Sequence, residues 1–84
     1  MPDDLVEAHS HSDHHRTEVL ASTMAGCFYC LSTYPPRSIT EWIDDGQTAL
    51  CPRCGVDSVI GDTSGYALTP GFLGRMRGRW FGGA

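Results

Sequence analysis

Apolar residues along the chain follow helical spacing near both ends and strand-like alternation in the middle. Residues 13–24 show the first helical stretch, which predicts a short helix with a narrow apolar stripe. The stripe consists of Val19, Leu20 and Met24. Ser12 or Asp13 can cap the start of this helix and Gly26 can end it. We expect the helix to pack as a lid on the centre of the chain, with Met24 in the core.

A second helix is predicted near the C-terminal end. Thr69 followed by Pro70 is a typical start, because the hydroxyl caps the helix and proline suits its first position. The apolar face then contains Phe72, Leu73, Met76 and Trp80. We expect the helix to end near Phe81. Gly74 and Gly78 each weaken it by about 1 kcal/mol relative to alanine, so docking of the apolar face must stabilise it.

Short strands are predicted between the two helices. Alternation and β-branched content favour strands at residues 31–34, 48–50 and 56–60. Pro35 and Pro36 prevent the first strand from continuing. Ser38 and Glu41 stand in a capping-box arrangement, so either helical turns or a strand can follow the prolines. Residues 44–46, Asp-Asp-Gly, predict a turn.

The two ends of the chain are polar or rich in glycine. Residues 1–12 predict a disordered tail, and residues 82–84 a flexible C-terminus. The tail region is rich in histidine, at His9, His11, His14 and His15. These histidines could hold a second metal ion, but without a scaffold to fix their geometry we expect them to be solvated. Residues 13–81, between the two ends, are predicted to form a single domain.

All four cysteines of the chain form two Cys-x-x-Cys pairs separated by twenty residues. The pairs are Cys27 with Cys30 and Cys51 with Cys54. This spacing is typical of a four-cysteine zinc site, in which each pair bends into a knuckle that presents two thiolates. Pro52 and Gly55 favour a tight second knuckle. The sequence therefore predicts one structural zinc ion held by four cysteines.

A metal ion would supply stability that a chain of 84 residues with 40% apolar content has difficulty providing alone. Zinc binding to such modules is worth on the order of 10–16 kcal/mol. The acidic start, Met1-Pro2-Asp3-Asp4, predicts neither an export signal nor a membrane span. We therefore expect a cytoplasmic protein, in which metal binding explains the cysteines better than disulfides do.

Charge is distributed unevenly. Ten acidic residues and six arginines, with no lysine, give a formal net charge of −4, which disfavours general nucleic-acid binding. Three arginines, Arg75, Arg77 and Arg79, nevertheless lie in the last helix. They predict either a solvated helix face or, together with Trp42 or Trp80, a nucleic-acid contact.

Part of the chain resembles a known protein family. The resemblance rests on GCFYCL at 26–31, YPP at 34–36, EWID at 41–44, GQTALCP at 46–52 and CGVDSVIG at 54–61. It extends into the last helix and covers about residues 14 to 81. The family consists of small bacterial proteins usually labelled only "cytoplasmic protein". The resemblance implies a bacterial, cytosolic, stand-alone protein of zinc-finger type.

Enzymatic alternatives fit the residues less well. A redox role for Cys27 and Cys30 is disfavoured because the second cysteine pair can sequester them in metal. A zinc hydrolase needs an open coordination position, which four cysteines fill. A His-Asn-His nuclease is disfavoured because the chain has no asparagine and no histidine after His15. Residues 51–55 also resemble a rubredoxin knuckle, which keeps an iron electron carrier open, although no glycine follows Cys30.

These observations together predict an α+β fold, a small zinc-ribbon or treble-clef-like module with an N-terminal and a C-terminal helix. The predicted role is a protein-interaction module without catalytic residues. A nucleic-acid-binding zinc finger and a rubredoxin-like carrier are the alternatives. The oligomeric state is not predicted.

Overall fold

The computed structural model describes residues 4–82, which fold into three helices and two small antiparallel sheets. The helices are α1 (Asp4–His9), α2 (Arg16–Ala21) and α3 (Pro70–Phe81). The strands are β1 (Ala25–Cys27), β2 (Thr33–Tyr34), β3 (Trp42–Ile43), β4 (Thr48–Ala49) and β5 (Val59–Gly61). Short 3₁₀ turns lie at Pro36–Ser38 and Asp62–Ser64. The predicted α+β fold with an N-terminal and a C-terminal helix is confirmed.

Strand β1 is the centre of the larger sheet, which has the order β2-β1-β5. Its three residues are all buried. Gly26 in β1 packs beneath Leu73 of α3. Gly61 in β5 permits the close approach of α2 and the residue that follows it, because a Cβ at Gly61 would collide with the Ser22 side chain. The remaining strands β3 and β4 form a separate hairpin.

Helix α3 matches the predicted helix at both ends. The Thr69 hydroxyl accepts a hydrogen bond from the Phe72 backbone N–H at 3.1 Å, which caps the start. Gly82 ends the helix in a left-handed conformation with φ of 64°. The buried face contributes to a core cluster of Ala8, Phe28, Ile60, Phe72, Leu73 and Met76. A second cluster surrounds β1 and includes Cys27 and Cys51.

The first predicted helix is shorter than expected and begins later. Helix α2 occupies Arg16–Ala21, and His15 precedes it without a side-chain capping bond. The Asp62 carboxylate accepts hydrogen bonds from the N–H groups of Thr23 and Met24, both at 3.1 Å, and these residues lead directly into β1. Gly26 therefore lies in a strand and ends no helix. Met24 is 36% exposed, so its predicted place in the core is wrong.

A short helix and turn replace the expected disordered tail over residues 4–12. Ala8 of α1 is fully buried in the cluster beneath α3, and Leu5 packs against the same cluster. The Trp80 indole N–H also donates to the Leu5 carbonyl at 3.3 Å. Burial of Leu5 and Ala8 against the apolar face of α3 stabilises helix α1. The expectations for residues 1–3 and 83–84 lie outside the described residues, and the domain boundaries stay a prediction.

The segment after the two prolines forms a 3₁₀ turn followed by strand β3, so the strand alternative at residues 42–43 holds. The predicted turn at residues 44–46 connects β3 to β4. All three turn residues have left-handed φ angles, 56° at Asp44, 58° at Asp45 and 81° at Gly46. The Thr48 hydroxyl donates to the Asp44 carboxylate at 2.8 Å and fixes the turn against the hairpin.

Candidate metal centre

Two loops of the same shape carry the four cysteines. In the first loop, between β1 and β2, the Leu31 N–H donates to the Cys27 carbonyl at 2.9 Å. In the second loop, the Gly55 N–H donates to the Cys51 carbonyl at the same distance. Leu31 and Gly55 both have left-handed backbones. Each loop is therefore a knuckle that turns its two sulfur atoms towards one side.

The knuckles bring all four predicted sulfur atoms together. All four Sγ atoms lie within 4.8 Å of one another. The Sγ atoms of Cys27 and Cys54 are 3.6 Å apart, and those of Cys30 and Cys51 are 3.7 Å apart. Four sulfurs at zinc–sulfur distances of about 2.3 Å in a tetrahedron would be about 3.8 Å apart. The cysteines are free thiols, and their spacing suits one tetrahedral metal ion.

Burial divides the four cysteines into two types. The first cysteine of each pair, Cys27 or Cys51, is buried, whereas Cys30 is partly exposed and Cys54 is exposed. The first cysteines belong to the core cluster around β1. A metal ion at the centre would thus be anchored in the core on one side and face solvent on the other.

Backbone N–H groups point at the buried sulfurs. The Cys27 sulfur lies 3.3 Å from the Tyr29 nitrogen and 3.4 Å from the Cys30 nitrogen. The Cys51 sulfur accepts from the Arg53 N–H at 3.3 Å. Hydrogen bonds to a thiolate stabilise its charged form. The knuckle backbone is thereby arranged for sulfur atoms that carry negative charge.

Two side-chain hydroxyls also approach the buried sulfurs. The Ser58 oxygen lies 3.0 Å from the Cys27 sulfur, and Ser58 is buried. The Tyr34 hydroxyl is a buried polar group without a hydrogen-bond partner of standard geometry, and it lies beside Cys51. Sequence reasoning missed both residues. Neither adjoins its cysteine in sequence, so only the fold brings them to the site.

The surroundings of the thiols shift the pKa values of three of them in different directions. Burial raises the pKa of Cys27. At the more exposed Cys54, partial desolvation together with the neighbouring sulfurs of Cys27 and Cys51 raises the pKa to about 12. At Cys51 burial also acts upwards, but the Tyr34 hydroxyl and the N–H groups of Cys54 and Arg53 lower the pKa to about 7. A divalent cation would remove the mutual repulsion of four thiolates and let them ionise together.

Helix α3 supports the first knuckle from outside. The Arg77 guanidinium donates to the Tyr29 carbonyl at 3.0 Å and lies 5.1 Å from the centre of the Tyr29 ring. The Phe81 ring meets the Tyr29 ring edge-on, with centroids 4.9 Å apart. The C-terminal helix therefore holds the loop that presents Cys27 and Cys30.

The histidines do not form a second metal site within residues 4–82, where the four cysteines are the one group of at least three potential ligands arranged for a metal ion. The His11 ring instead contacts Glu18 at 2.8 Å. His15, expected in solvent, is buried, with one ring nitrogen 2.6 Å from the His11 carbonyl oxygen and the other 3.1 Å from the Ala49 nitrogen. Both nitrogens of His15 are thus occupied by the backbone.

Comparison with known proteins found no matching protein family, no matching curated protein and no matching solved structure. None of the helices within residues 4–82 has the length and apolar character needed to cross a membrane.

Proposed function

We propose that the protein binds one zinc ion through Cys27, Cys30, Cys51 and Cys54, and that this ion is structural. The observation that carries the proposal is the close spacing of the four sulfur atoms, all within 4.8 Å of one another. Zinc is the usual occupant of a closed four-thiolate site. Because four thiolates fill a tetrahedron, no position is left to activate water, and the proposal assigns no catalytic residue.

The position of the knuckles supports a zinc ribbon over a treble clef. Both cysteine pairs lie on loops beside short strands, and neither pair opens a helix, as the second pair of a treble clef does. Leu31 takes the backbone conformation that glycine takes at Gly55, so the first knuckle also has a rubredoxin-like shape. Iron is therefore the second candidate for this site, with electron transfer as the corresponding function.

Metal analysis tests the zinc proposal directly. Native material should contain one zinc per chain, and removal of zinc by a chelator should abolish the near-UV circular dichroism of the folded protein. Cys51→Ser should fold poorly even with excess zinc, whereas a His14→Gln control, altered at an exposed residue, should load normally. Iron in native material would contradict zinc. A near-UV signal that survives chelation would contradict the structural role.

The proposed biological role is a protein-interaction module in a bacterial cytoplasm. The location rests on the sequence resemblance of residues 14 to 81 alone, because the comparisons match no family. Exposed apolar side chains around the first knuckle support the interaction role, since such patches mark docking sites. Tyr29 and Leu31 are each 37% exposed, and Phe81, in contact with Tyr29, is 42% exposed. Alanine at Leu31 should weaken capture of a partner from a native lysate, whereas alanine at the distant exposed Leu20 should not. Equal capture by both variants would contradict this surface.

A further inference from the structure

Two buried hydroxyls lie beside the two buried cysteines of the metal centre. Ser58, just before β5, approaches the sulfur of Cys27, and Tyr34, in β2, approaches Cys51. Each hydroxyl thus lies next to the first cysteine of a knuckle. These are also the two buried cysteines, and both belong to the core cluster that contains Tyr34.

We propose that Ser58 and Tyr34 are positioning residues of the metal centre, which donate O–H···S hydrogen bonds to the thiolates of Cys27 and Cys51. The inference rests on the proposed metal site, because only deprotonated sulfurs are full acceptors for both hydroxyls. Partners of this kind orient metal ligands and tune their charge in other metal sites.

The burial of Tyr34 is the observation that carries the inference furthest. Its hydroxyl oxygen is buried and lacks a partner of standard geometry among the described residues. A buried hydroxyl without a hydrogen bond is unfavourable, so such groups usually have a partner. Cys51 lies beside Tyr34 in the same buried cluster, and its thiolate, once it binds a metal, is an acceptor that gains from a charge-assisted bond. The Ser58 oxygen is already at 3.0 Å from its sulfur.

The two hydroxyls make the centre asymmetric. Cys27 and Cys51 combine backbone N–H donors with a hydroxyl donor, which draws charge away from their sulfurs. Cys30 and Cys54, the more exposed pair, have no such hydroxyl donor within the described part of the chain. The buried pair therefore anchors the metal, and the exposed pair keeps the greater share of thiolate charge.

Single hydroxyl deletions test the inference. Tyr34→Phe and Ser58→Ala should each lower zinc affinity by about 10–100-fold, measured by competition with a chelator. In cobalt-loaded protein, each should also shift the sulfur-to-cobalt charge-transfer bands, because those bands depend on the charge of the thiolates. Tyr66→Phe, at a tyrosine that stacks on Phe72, and Ser38→Ala are the matched controls, and both should leave affinity and spectrum unchanged.

The outcomes separate this inference from the zinc proposal. Wild-type protein that takes up neither zinc nor cobalt would overturn both. Normal loading of the wild type, with affinity and bands unchanged in Tyr34→Phe and Ser58→Ala, would overturn the hydroxyl bonds alone. If a variant fails to fold, wild-type protein loaded with cadmium-113 decides. Coupling between the metal and the Tyr34 or Ser58 hydroxyl proton would support the bonds, and freely exchanging hydroxyl protons would overturn them.

Discussion

Leu31 and Gly55 occupy the same position in the two knuckles, directly after the second cysteine, and have φ angles of 64° and 79°. Each donates its N–H to the carbonyl of the first cysteine in its knuckle, at 2.9 Å. A left-handed backbone costs an ordinary residue about 1–2 kcal/mol and costs glycine almost nothing. The first knuckle therefore holds a strained leucine where the second has an unstrained glycine.

This difference predicts that substitutions at Gly55 and at Leu31 change the free energy of unfolding in opposite directions. Gly55→Ala should lower the free energy of unfolding by about 1–2 kcal/mol. A Cβ at Gly55 would meet nothing within 4 Å, so the cost is one of backbone conformation alone. Leu31→Gly should raise the free energy of unfolding by up to about 1 kcal/mol. Denaturant unfolding at fixed free zinc measures both, and an unchanged Gly55→Ala variant would contradict the argument.

The cysteine pairs and helix α3 could be predicted because their information is local. Cys-x-x-Cys spacing forms a knuckle within a few residues, and the Thr69 cap acts on Phe72, three positions away. The left-handed conformation of Leu31 could not be predicted in this way. Nothing in a leucine indicates positive φ, which follows here from the closure of the loop around its cysteines.

Features that depend on distant partners were also missed. Helix α1 forms because Leu5 and Ala8 meet the apolar face of α3, about seventy positions later in the chain. The tail composition alone favours disorder. Likewise, Ser58 reaches Cys27 across 31 positions. The Ser58 contact arises from the pairing of β5 with β1, which no local pattern shows.

Glycine positions provide a second prediction. Gly74 lies in α3 with open space where a Cβ would be, so Gly74→Ala should raise the free energy of unfolding by about 1 kcal/mol through better helix propensity. Gly61→Ala should lower it, because the new Cβ would collide with Ser22 and lie 3.3 Å from the Val19 Cα. Thermal unfolding of the zinc-loaded proteins compares the two. A destabilised Gly74→Ala variant would show that α3 has an unrecognised contact at this position.

A third prediction concerns His15 and pH. The His15 ring donates to the His11 carbonyl and accepts from the Ala49 N–H, so it is bonded in its neutral form. Burial has the largest effect on His15 and lowers its pKa. The hydrogen bond to the His11 carbonyl and the negative charges of Glu18 and Asp13 act in the opposite direction, whereas nearby His14 adds to the lowering. The unfolded chain then binds a proton more readily than the folded chain. This contribution to stability is therefore complete above about pH 6.5 and is lost as pH falls below it.

The measurement compares wild type with His15→Gln between pH 7.5 and 5.5. Wild type should lose more free energy of unfolding over this range, with a slope from His15 of at most about 1.4 kcal/mol per pH unit. His15→Gln should be less stable at pH 7.5 and lose less on acidification. Thr17→Ala, at an exposed and uncharged neighbour, should follow wild type. Parallel pH profiles for wild type and His15→Gln would contradict the assigned role of the neutral ring.

The three C-terminal arginines differ in their surroundings, and this bears on the class of partner. Arg77 donates to the Tyr29 carbonyl, and the Arg79 guanidinium lies 4.4 Å from the centre of the Trp80 ring. On a helix, Arg75 and Arg79 share a face, whereas Arg77, two positions from each, points elsewhere. The arginines therefore do not form one continuous basic face for a phosphate backbone.

We accordingly expect no nucleic-acid binding tighter than the roughly 10⁻⁴–10⁻⁶ M of non-specific contacts at physiological salt. The net charge of −4 repels a polyanion, and these arginines would have to overcome that repulsion. Filter binding with mixed-sequence DNA and RNA measures the affinity of wild type and of a variant with glutamine at Arg75, Arg77 and Arg79. Arg37→Gln is the control for charge removed elsewhere. Submicromolar binding that weakens with salt, and that only the triple variant loses, would replace protein with nucleic acid as the proposed partner.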